Sequence, residues 1–171
     1  MIKTKRVYEP KEETDGVFRL DIRKAKIKDA PYIHELINDY AKSSVLLPRS
    51  LSSIYENIRD FFVATEDDNI IGVCALHIVW EDLAEIKSLA VEKNYTKKGI
   101  GRALVEACLK EAKEYDIKTV FVLTYQVDFF KKMGFELIKK ETLPHKIWGE
   151  CINCSKFPSC DEIAMSKLLK A

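Results

Sequence analysis

The sequence lacks a long apolar run, an excess of either charge and a secretion signal, and each absence removes a class of protein. In its 171 residues, no apolar stretch approaches the roughly 18 to 20 residues of a membrane-spanning helix. The 28 basic and 27 acidic residues nearly cancel, which argues against a dedicated nucleic-acid binder. The N-terminal segment has no apolar h-region and no small-residue cleavage site. We expect a soluble, cytoplasmic protein without nucleic-acid or membrane partners.

The chain has five cysteines, an odd number that argues for free thiols in a reducing compartment. Three of them form a C-x2-C-x5-C pattern at Cys151, Cys154 and Cys160, and His145 precedes it. Three thiolates and one imidazole could bind zinc tetrahedrally, although the spacing is not that of a standard zinc finger. A redox pair and free thiols in a packed loop are the alternatives. We expect no metal to be needed for the chemistry.

The length and composition predict one domain, because a chain of this size buries enough surface to fold without disulfides or structural metals. Residues 1–17 are polar and charged, and we interpret them as an N-terminal arm. Residues 18–171 form the predicted domain, and an irregular, cysteine-bearing loop occupies 144–161 within it.

The hydrophobic pattern alternates between periods of two and 3.6, which predicts a domain of the α/β (α+β) class. Strands are predicted over 18–23, 61–65, 70–79, 83–91, 119–124, 135–138 and 163–169. Helices are predicted over 29–40, 50–58, 100–115 and 127–133. Meander and crossover connections alternate along the chain, so we expect one mixed sheet with helices on both faces.

The most informative segment is the turn that leads from the strand ending at residue 91 into the next helix. Gly99 and Gly101 open that helix, and Lys97, Lys98 and Arg102 surround them. A helix N-terminus presents unpaired N–H groups and a partial positive charge, and glycine lets a phosphate approach the backbone closely. The turn therefore has the chemistry of a pyrophosphate cradle; a solvated basic turn is the alternative.

Two common phosphate-binding motifs do not fit this turn. The nucleoside-triphosphate loop G-x-x-x-x-G-K-[ST] is absent. The dinucleotide fingerprint requires a third glycine, and Leu104 occupies that position.

The turn resembles the pyrophosphate loop of the GNAT superfamily of acyl-CoA N-acyltransferases. Gly99 and Gly101 match the two glycine positions, while Thr96 stands where the family usually has Arg or Gln. Residues 129–135 are similar to a second family signature, a short helix before Gly-Phe. Phe130 stands where that signature usually has Tyr.

Segments 46–50, 55–64, 84–91 and 143–148 resemble the short, stand-alone bacterial N-acetylglutamate synthases, and the likeness runs from residue 18 to the end. It implies the GNAT fold, a mixed, mostly antiparallel twisted sheet with helices on both faces. It implies transfer of acetyl from acetyl-CoA to the α-amino group of L-glutamate, the first step of arginine biosynthesis. Another amino acid such as glutamine, a polyamine or a protein amine is the alternative acceptor, and a non-catalytic coenzyme A sensor is the alternative class. Dimers are common in the superfamily, so a homodimer is implied as well.

The resemblance also implies where acetyl-CoA binds, between two strands that splay apart. The pantetheine arm would pair with the backbone of Leu89, Ala90 and Val91. The pyrophosphate would be held by the turn and the first helical residues, namely Lys97, Lys98, Gly99, Ile100, Gly101, Arg102 and Ala103.

The chemistry needs a base for the acceptor ammonium and an acid for the leaving thiolate. The resemblance implies Glu85 as the base, because the family places its base carboxylate on that strand. Phe130 cannot donate a proton, so we take Tyr125, which follows the neighbouring strand, as the acid. The Thr124 hydroxyl, water, or a packing role for Tyr125 are the alternatives.

An amino-acid acceptor carries carboxylates that need cations. Arg49 can form a bidentate clamp, and Lys87 shares a strand face with Glu85 by the period of two. Lys146 is the third predicted acceptor-binding residue. Each of the three cations could instead be a solvated surface charge.

Overall fold

The computed structural model describes residues 19–144, 149, 151, 152, 154 and 156–170. The predicted arm at 1–17, His145 and Lys146 lie outside the described residues. The strands are β1 (Leu20–Lys24), β2 (Phe61–Glu66), β3 (Asn69–Trp80), β4 (Leu83–Val91), β5 (Thr119–Thr124), β6 (Glu136–Leu137) and β7 (Ile163–Leu168). The principal helices are α1 (Ala30–Ala41), α2 (Leu51–Glu56), α3 (Ile100–Glu114) and α4 (Val127–Lys132).

The seven strands form one sheet in the order β1-β2-β3-β4-β5-β7-β6. Among the strands of the described residues, only the central β4–β5 pair is parallel, and the other neighbours are antiparallel. The prediction of a mixed, mostly antiparallel sheet is therefore confirmed. Among the described residues, every helix falls short of the length and apolarity that a membrane crossing requires.

The local signals in the sequence begin and end the elements where they were expected. Pro31 lies in the first turn of α1, where its missing N–H costs nothing. The Ser50 hydroxyl accepts a hydrogen bond from the Ser53 N–H at 3.2 Å and caps α2. The hairpin between β2 and β3 turns through Asp67 and Asp68, both with positive φ.

The helices pack on opposite faces of the sheet, and this division sets the two sides of the site. The larger core joins α3 to one face and includes Ala84 and Ile86 of β4. The core under α1 and α2 includes Val73 and Ala75 of β3. Because side chains alternate along a strand, Glu85 and Lys87 point to the face that α1 and α2 cover.

A buried ion pair anchors the start of α1 to β1. Asp29 is 4% exposed and accepts hydrogen bonds from Arg23 at 2.7 and 3.2 Å and from the Lys26 N–H at 2.7 Å. Burial alone would raise the pKa of Asp29, but these hydrogen bonds together hold it below the ordinary 3.8. The stabilisation is therefore present above the ordinary pKa and is lost as the pH falls through the lowered one.

We expect Asp29→Asn to lower the free energy of unfolding by about 1 to 3 kcal/mol near neutral pH, because it removes a buried charge partner of Arg23. In urea denaturation, the difference from the wild type should shrink as the medium is acidified. The control is Asp39→Asn, whose pair with Lys42 is largely exposed and should change stability by less than about 0.5 kcal/mol. An equal loss in both variants would contradict the prediction.

Candidate active site

The sheet opens between its two parallel strands. The β4–β5 ladder joins Leu83–Ile86 to residues 119–122 and goes no further. Beyond it, β4 carries a bulge: Lys87 pairs with Ala75 but Ala90 pairs with Val73, so β4 has one extra residue. Ser88 lies at the bulge with φ of +52°. The bulge turns β4 away from β5, and a cleft results.

The end of β4 presents backbone groups to this cleft. The Glu92 N–H donates a hydrogen bond to the Ile71 carbonyl of β3 at 2.8 Å. Because adjacent residues of a strand direct their backbone groups to opposite sides, those of Val91 face the cleft. The Val91 carbonyl there accepts a hydrogen bond from the Tyr40 hydroxyl at 2.5 Å. Leu89 also lines the opening, whereas Ala90 packs its side chain into the core under α1.

The glycine turn follows directly and has the left-handed backbone that glycine favours. Gly99 is the N-cap of α3 with φ of +81°, and Lys97 has φ of +62°. Among the residues that the structure describes, a Cβ at Gly99 would meet nothing within 4 Å, so its backbone conformation, and not packing, selects glycine. A Cβ at Gly101 would make ordinary contacts with Phe129 and Val91, at 3.7 and 3.8 Å.

The basic side chains around the turn have partners within the chain. The Lys98 ammonium lies 4.9 Å from the centre of the Tyr95 ring. Arg102 pairs with Glu106 one helical turn later, at 2.8 Å between Nε and Oε1. Thr96, at the position where the family usually has Arg or Gln, donates its hydroxyl to the Lys93 carbonyl at 3.0 Å. The role of Arg102 toward a pyrophosphate stays a prediction.

We expect Gly99→Ala to raise the KM for acetyl-CoA by about threefold to tenfold. A residue with a Cβ destabilises the left-handed backbone conformation of position 99 by about 1 to 2 kcal/mol. The backbone then shifts and tilts the first N–H groups of α3. Gly134→Ala is the matched control, since Gly134 has φ of +83° at the end of α4. It should lower thermal stability similarly and leave the KM for acetyl-CoA unchanged. Initial-rate kinetics and thermal melts of both variants test this.

A cavity of about 890 Å³ lies beside the opening, on the face that α1 and α2 cover. Its walls come from residues 45–49, from 85–89 of β4, from 122–126 at the end of β5, and from several residues between 140 and 162. Four of the predicted catalytic and acceptor-binding residues line it, namely Arg49, Glu85, Lys87 and Tyr125. The fifth, Lys146, is not among the described residues.

Glu85 and Lys87 form an ion pair in the cavity wall. The Lys87 Nζ lies 3.4 Å from the Glu85 Oε2, and the two side chains are 10% and 12% exposed. The pair places a carboxylate and an ammonium side by side where β4 leaves β5.

The Tyr125 hydroxyl lies in a polar cluster at the cavity edge. It donates a hydrogen bond to the Asp161 carboxylate and accepts one from the Lys156 ammonium. The bond to Asp161 raises the pKa of Tyr125 above its usual value, against the opposing effect of Lys156. Phe130 is 2% exposed and packs edge-on against Phe135, which is a core role.

Sequence reasoning missed three charged residues of the cavity wall, Lys140, Glu141 and Glu162. Burial raises the pKa of Glu162 despite the nearby lysines. The Lys140 Nζ donates to the Cys160 carbonyl at 2.9 Å, and this bond ties two parts of the wall together. The cysteine pattern was the sequence signal that could have indicated this part of the wall, because Cys151, Cys154 and Cys160 all line the cavity. Within the described part of the chain, no three His, Cys, Asp or Glu residues form a metal-binding group.

A mostly antiparallel sheet that opens at one parallel pair, beside a glycine-started helix, is the architecture of acyl-CoA N-acyltransferases. Residues 30–135 match the model of the acetyltransferase (GNAT) family. The chain therefore belongs to the GNAT family, and it is an acetyl-CoA-dependent N-acetyltransferase.

Named relatives agree with this family. An uncharacterized N-acetyltransferase of Chlorobaculum tepidum is 47% identical over 148 residues, which are 86% of this chain and 96% of that protein. An amino-acid acetyltransferase of Mycobacterium tuberculosis is 36% identical over 132 residues, 75% of each chain. An N-acetylglutamate synthase from Neisseria gonorrhoeae, solved with coenzyme A and N-acetyl-glutamate, shares the fold with a TM-score of 0.82 at 24% identity. That match covers 90% of this chain and 36% of that one.

Proposed function

We propose that the protein is a cytoplasmic N-acetylglutamate synthase, which transfers acetyl from acetyl-CoA to the α-amino group of L-glutamate in the first step of arginine biosynthesis. The observation that carries the proposal is the cavity beside the open strands, because Arg49, Glu85 and Lys87 all line it. The name of the mycobacterial relative, amino-acid acetyltransferase, supports an amino acid as acceptor. A single domain over 18–171 carries the activity in this proposal.

The cavity has cations suited to an acceptor with two carboxylates. Arg49, Lys87 and Lys140 line three different walls, so that they can bind two separate carboxylates. Arg49 offers planar, bidentate binding, which a lysine cannot provide.

Glu85 is the proposed base. It takes a proton from the acceptor ammonium, and the free amine then attacks the thioester carbonyl carbon of acetyl-CoA. A new C–N bond forms, the nitrogen gives up its second proton to solvent water, the C–S bond breaks, and coenzyme A leaves as a thiolate. The Lys87 ammonium lies 3.4 Å from the Glu85 Oε2, beside the proposed base.

The acid that protonates the thiolate is proposed to be Tyr125, at the edge of the same cavity. Its hydroxyl proton is directed at Asp161, so donation to the thiolate requires a turn of that O–H bond. The Lys156 ammonium then supplies the next proton to the tyrosine oxygen.

The experiment is acetyl transfer from acetyl-CoA to each standard amino acid, with mass spectrometry of the acetylated product. We expect glutamate to give the highest kcat/KM. A clear preference for another amino acid would overturn the pathway and keep the proposed mechanism. Mass spectrometry is preferred to a thiol dye because the protein has five cysteines of its own.

A further inference from the structure

The last turn of α1 contacts both halves of the site. Asn38 and Tyr40 lie two residues apart in this turn, just before α1 ends at Ala41. The side chain of Asn38 reaches the segment that carries Arg49, and the side chain of Tyr40 reaches the end of β4 at Val91. Neither residue lines the cavity itself among the described residues, so both act through what they hold.

The Asn38 side-chain amide forms hydrogen bonds to both the carbonyl and the N–H of Arg49. Its Nδ2 donates to the Arg49 carbonyl at 2.8 Å, and its Oδ1 accepts from the Arg49 N–H at 3.2 Å. Its second Nδ2 hydrogen goes to the His34 carbonyl at 2.8 Å, one helical turn earlier. The N–H and C=O of Arg49 flank its Cα, so fixing both of them fixes the direction of the Cα–Cβ bond from which the side chain extends.

Tyr40 makes a comparable contact on the acetyl-CoA side. Its hydroxyl donates to the Val91 carbonyl at 2.5 Å, and its ring packs on the core beneath α1. Val91 is the last residue of β4 and precedes the glycine turn by a short 3-10 segment, Lys93–Tyr95. The hydrogen bond therefore holds the peptide that faces the cleft at the point where the chain turns toward α3.

We infer that the last turn of α1 positions both substrates through two separate contacts, Asn38 for the acceptor and Tyr40 for acetyl-CoA. Asn38 sets the direction of Arg49, and Tyr40 sets the backbone of Val91 that meets the pantetheine arm. Both are positioning residues. The inference rests on the proposed function for the roles of Arg49 and Val91.

The test measures the KM for L-glutamate and the KM for acetyl-CoA in Asn38→Ala and Tyr40→Phe. Asn38→Ala should raise the KM for glutamate about threefold to tenfold, and Tyr40→Phe should raise the KM for acetyl-CoA by a similar factor, as expected for one lost hydrogen-bonding contact. In each variant the other KM and kcat should stay within about twofold. A merely structural role would move both KM values together, and that outcome overturns the inference.

Matched controls come from the same region of the chain. Asn57→Ala removes an amide whose Nδ2 donates to the Ser53 carbonyl at 2.8 Å, and Tyr55→Phe removes the hydroxyl of an exposed side chain. Both should leave the two KM values unchanged. Asn38→Asp covers the case in which Asn38→Ala is unstable, because aspartate still accepts from the Arg49 N–H but cannot donate to its carbonyl. It should also raise the KM for glutamate.

A double-mutant cycle separates this inference from the proposed function. In an Arg49→Ala background, Asn38→Ala should have no further effect on the KM for glutamate. If Arg49→Ala raises that KM and Asn38→Ala alone does not, the inference fails and the proposed function stands. If Arg49→Ala leaves the KM unchanged, the proposed role of Arg49 has failed, and the Asn38 half of the inference falls with it.

Discussion

Glu85→Gln is expected to lower kcat by about 10²- to 10⁴-fold, the usual contribution of a positioned general base. Glutamine keeps the size of the side chain and can hydrogen-bond, but it cannot accept the proton of the acceptor ammonium. The affinity for acetyl-CoA should change little, because Glu85 lies on the strand segment still paired with β5, before the cleft opens. Steady-state kinetics with L-glutamate and calorimetric titration of acetyl-CoA give the two measurements.

Glu162→Gln is the matched control for this prediction. Glu162 is a second carboxylate in the cavity wall, and burial raises its pKa. We expect it to keep kcat within about tenfold of the wild type. If Glu162→Gln loses the greater part of kcat while Glu85→Gln stays active, the base is Glu162 and the assignment of Glu85 is wrong.

Arg49→Ala is expected to raise the KM for glutamate about 10- to 100-fold, because a charge-assisted hydrogen bond contributes about 1.5 to 3 kcal/mol and this one would be bidentate. The KM for acetyl-CoA should remain at its wild-type value, since Arg49 lies on the wall formed by residues 45–49 and not on β4. Initial rates with each substrate varied in turn measure both constants.

Arg59→Ala serves as the control, because Arg59 is exposed and lies outside the cavity wall. Arg49→Lys adds a second comparison: a lysine keeps the charge and loses the planar, two-point contact, so it should restore only part of the affinity. An unchanged KM in Arg49→Ala would contradict the role of Arg49 and make Lys87, Lys140 and Lys146 the next cations to substitute.

The sequence predicted the elements well because their signals are local. The bounds of β4 and β5 follow from their apolar patterns, and Ser50 and Gly134 mark a helix start and a helix end by their own chemistry. The glycine turn was also visible, because few residues other than glycine adopt the backbone of Gly99.

The remainder of the cavity depends on contacts between distant segments. Lys140 and Glu162 reach the wall only because β7 pairs with β5, and no local pattern reports that pairing. The hydrogen bonds between the Asn38 side chain and the Arg49 backbone join residues that are 11 positions apart in the sequence, with an irregular loop between them. Arg102 pairs with Glu106 in the structure, and its contact with a pyrophosphate stays a prediction.

The bulge at Ser88 also divides β4 into two stretches that can be redesigned independently. Before it, Glu85 and Lys87 line the cavity; after it, the extra residue shifts the alternation by one, so that Ala90 packs under α1. A library that keeps the proposed base Glu85 and randomises Lys87 would therefore test new amine specificities without changing the end of β4 that is proposed to bind acetyl-CoA. Deleting Ser88 would merge the two stretches and rotate one set of side chains onto the wrong face.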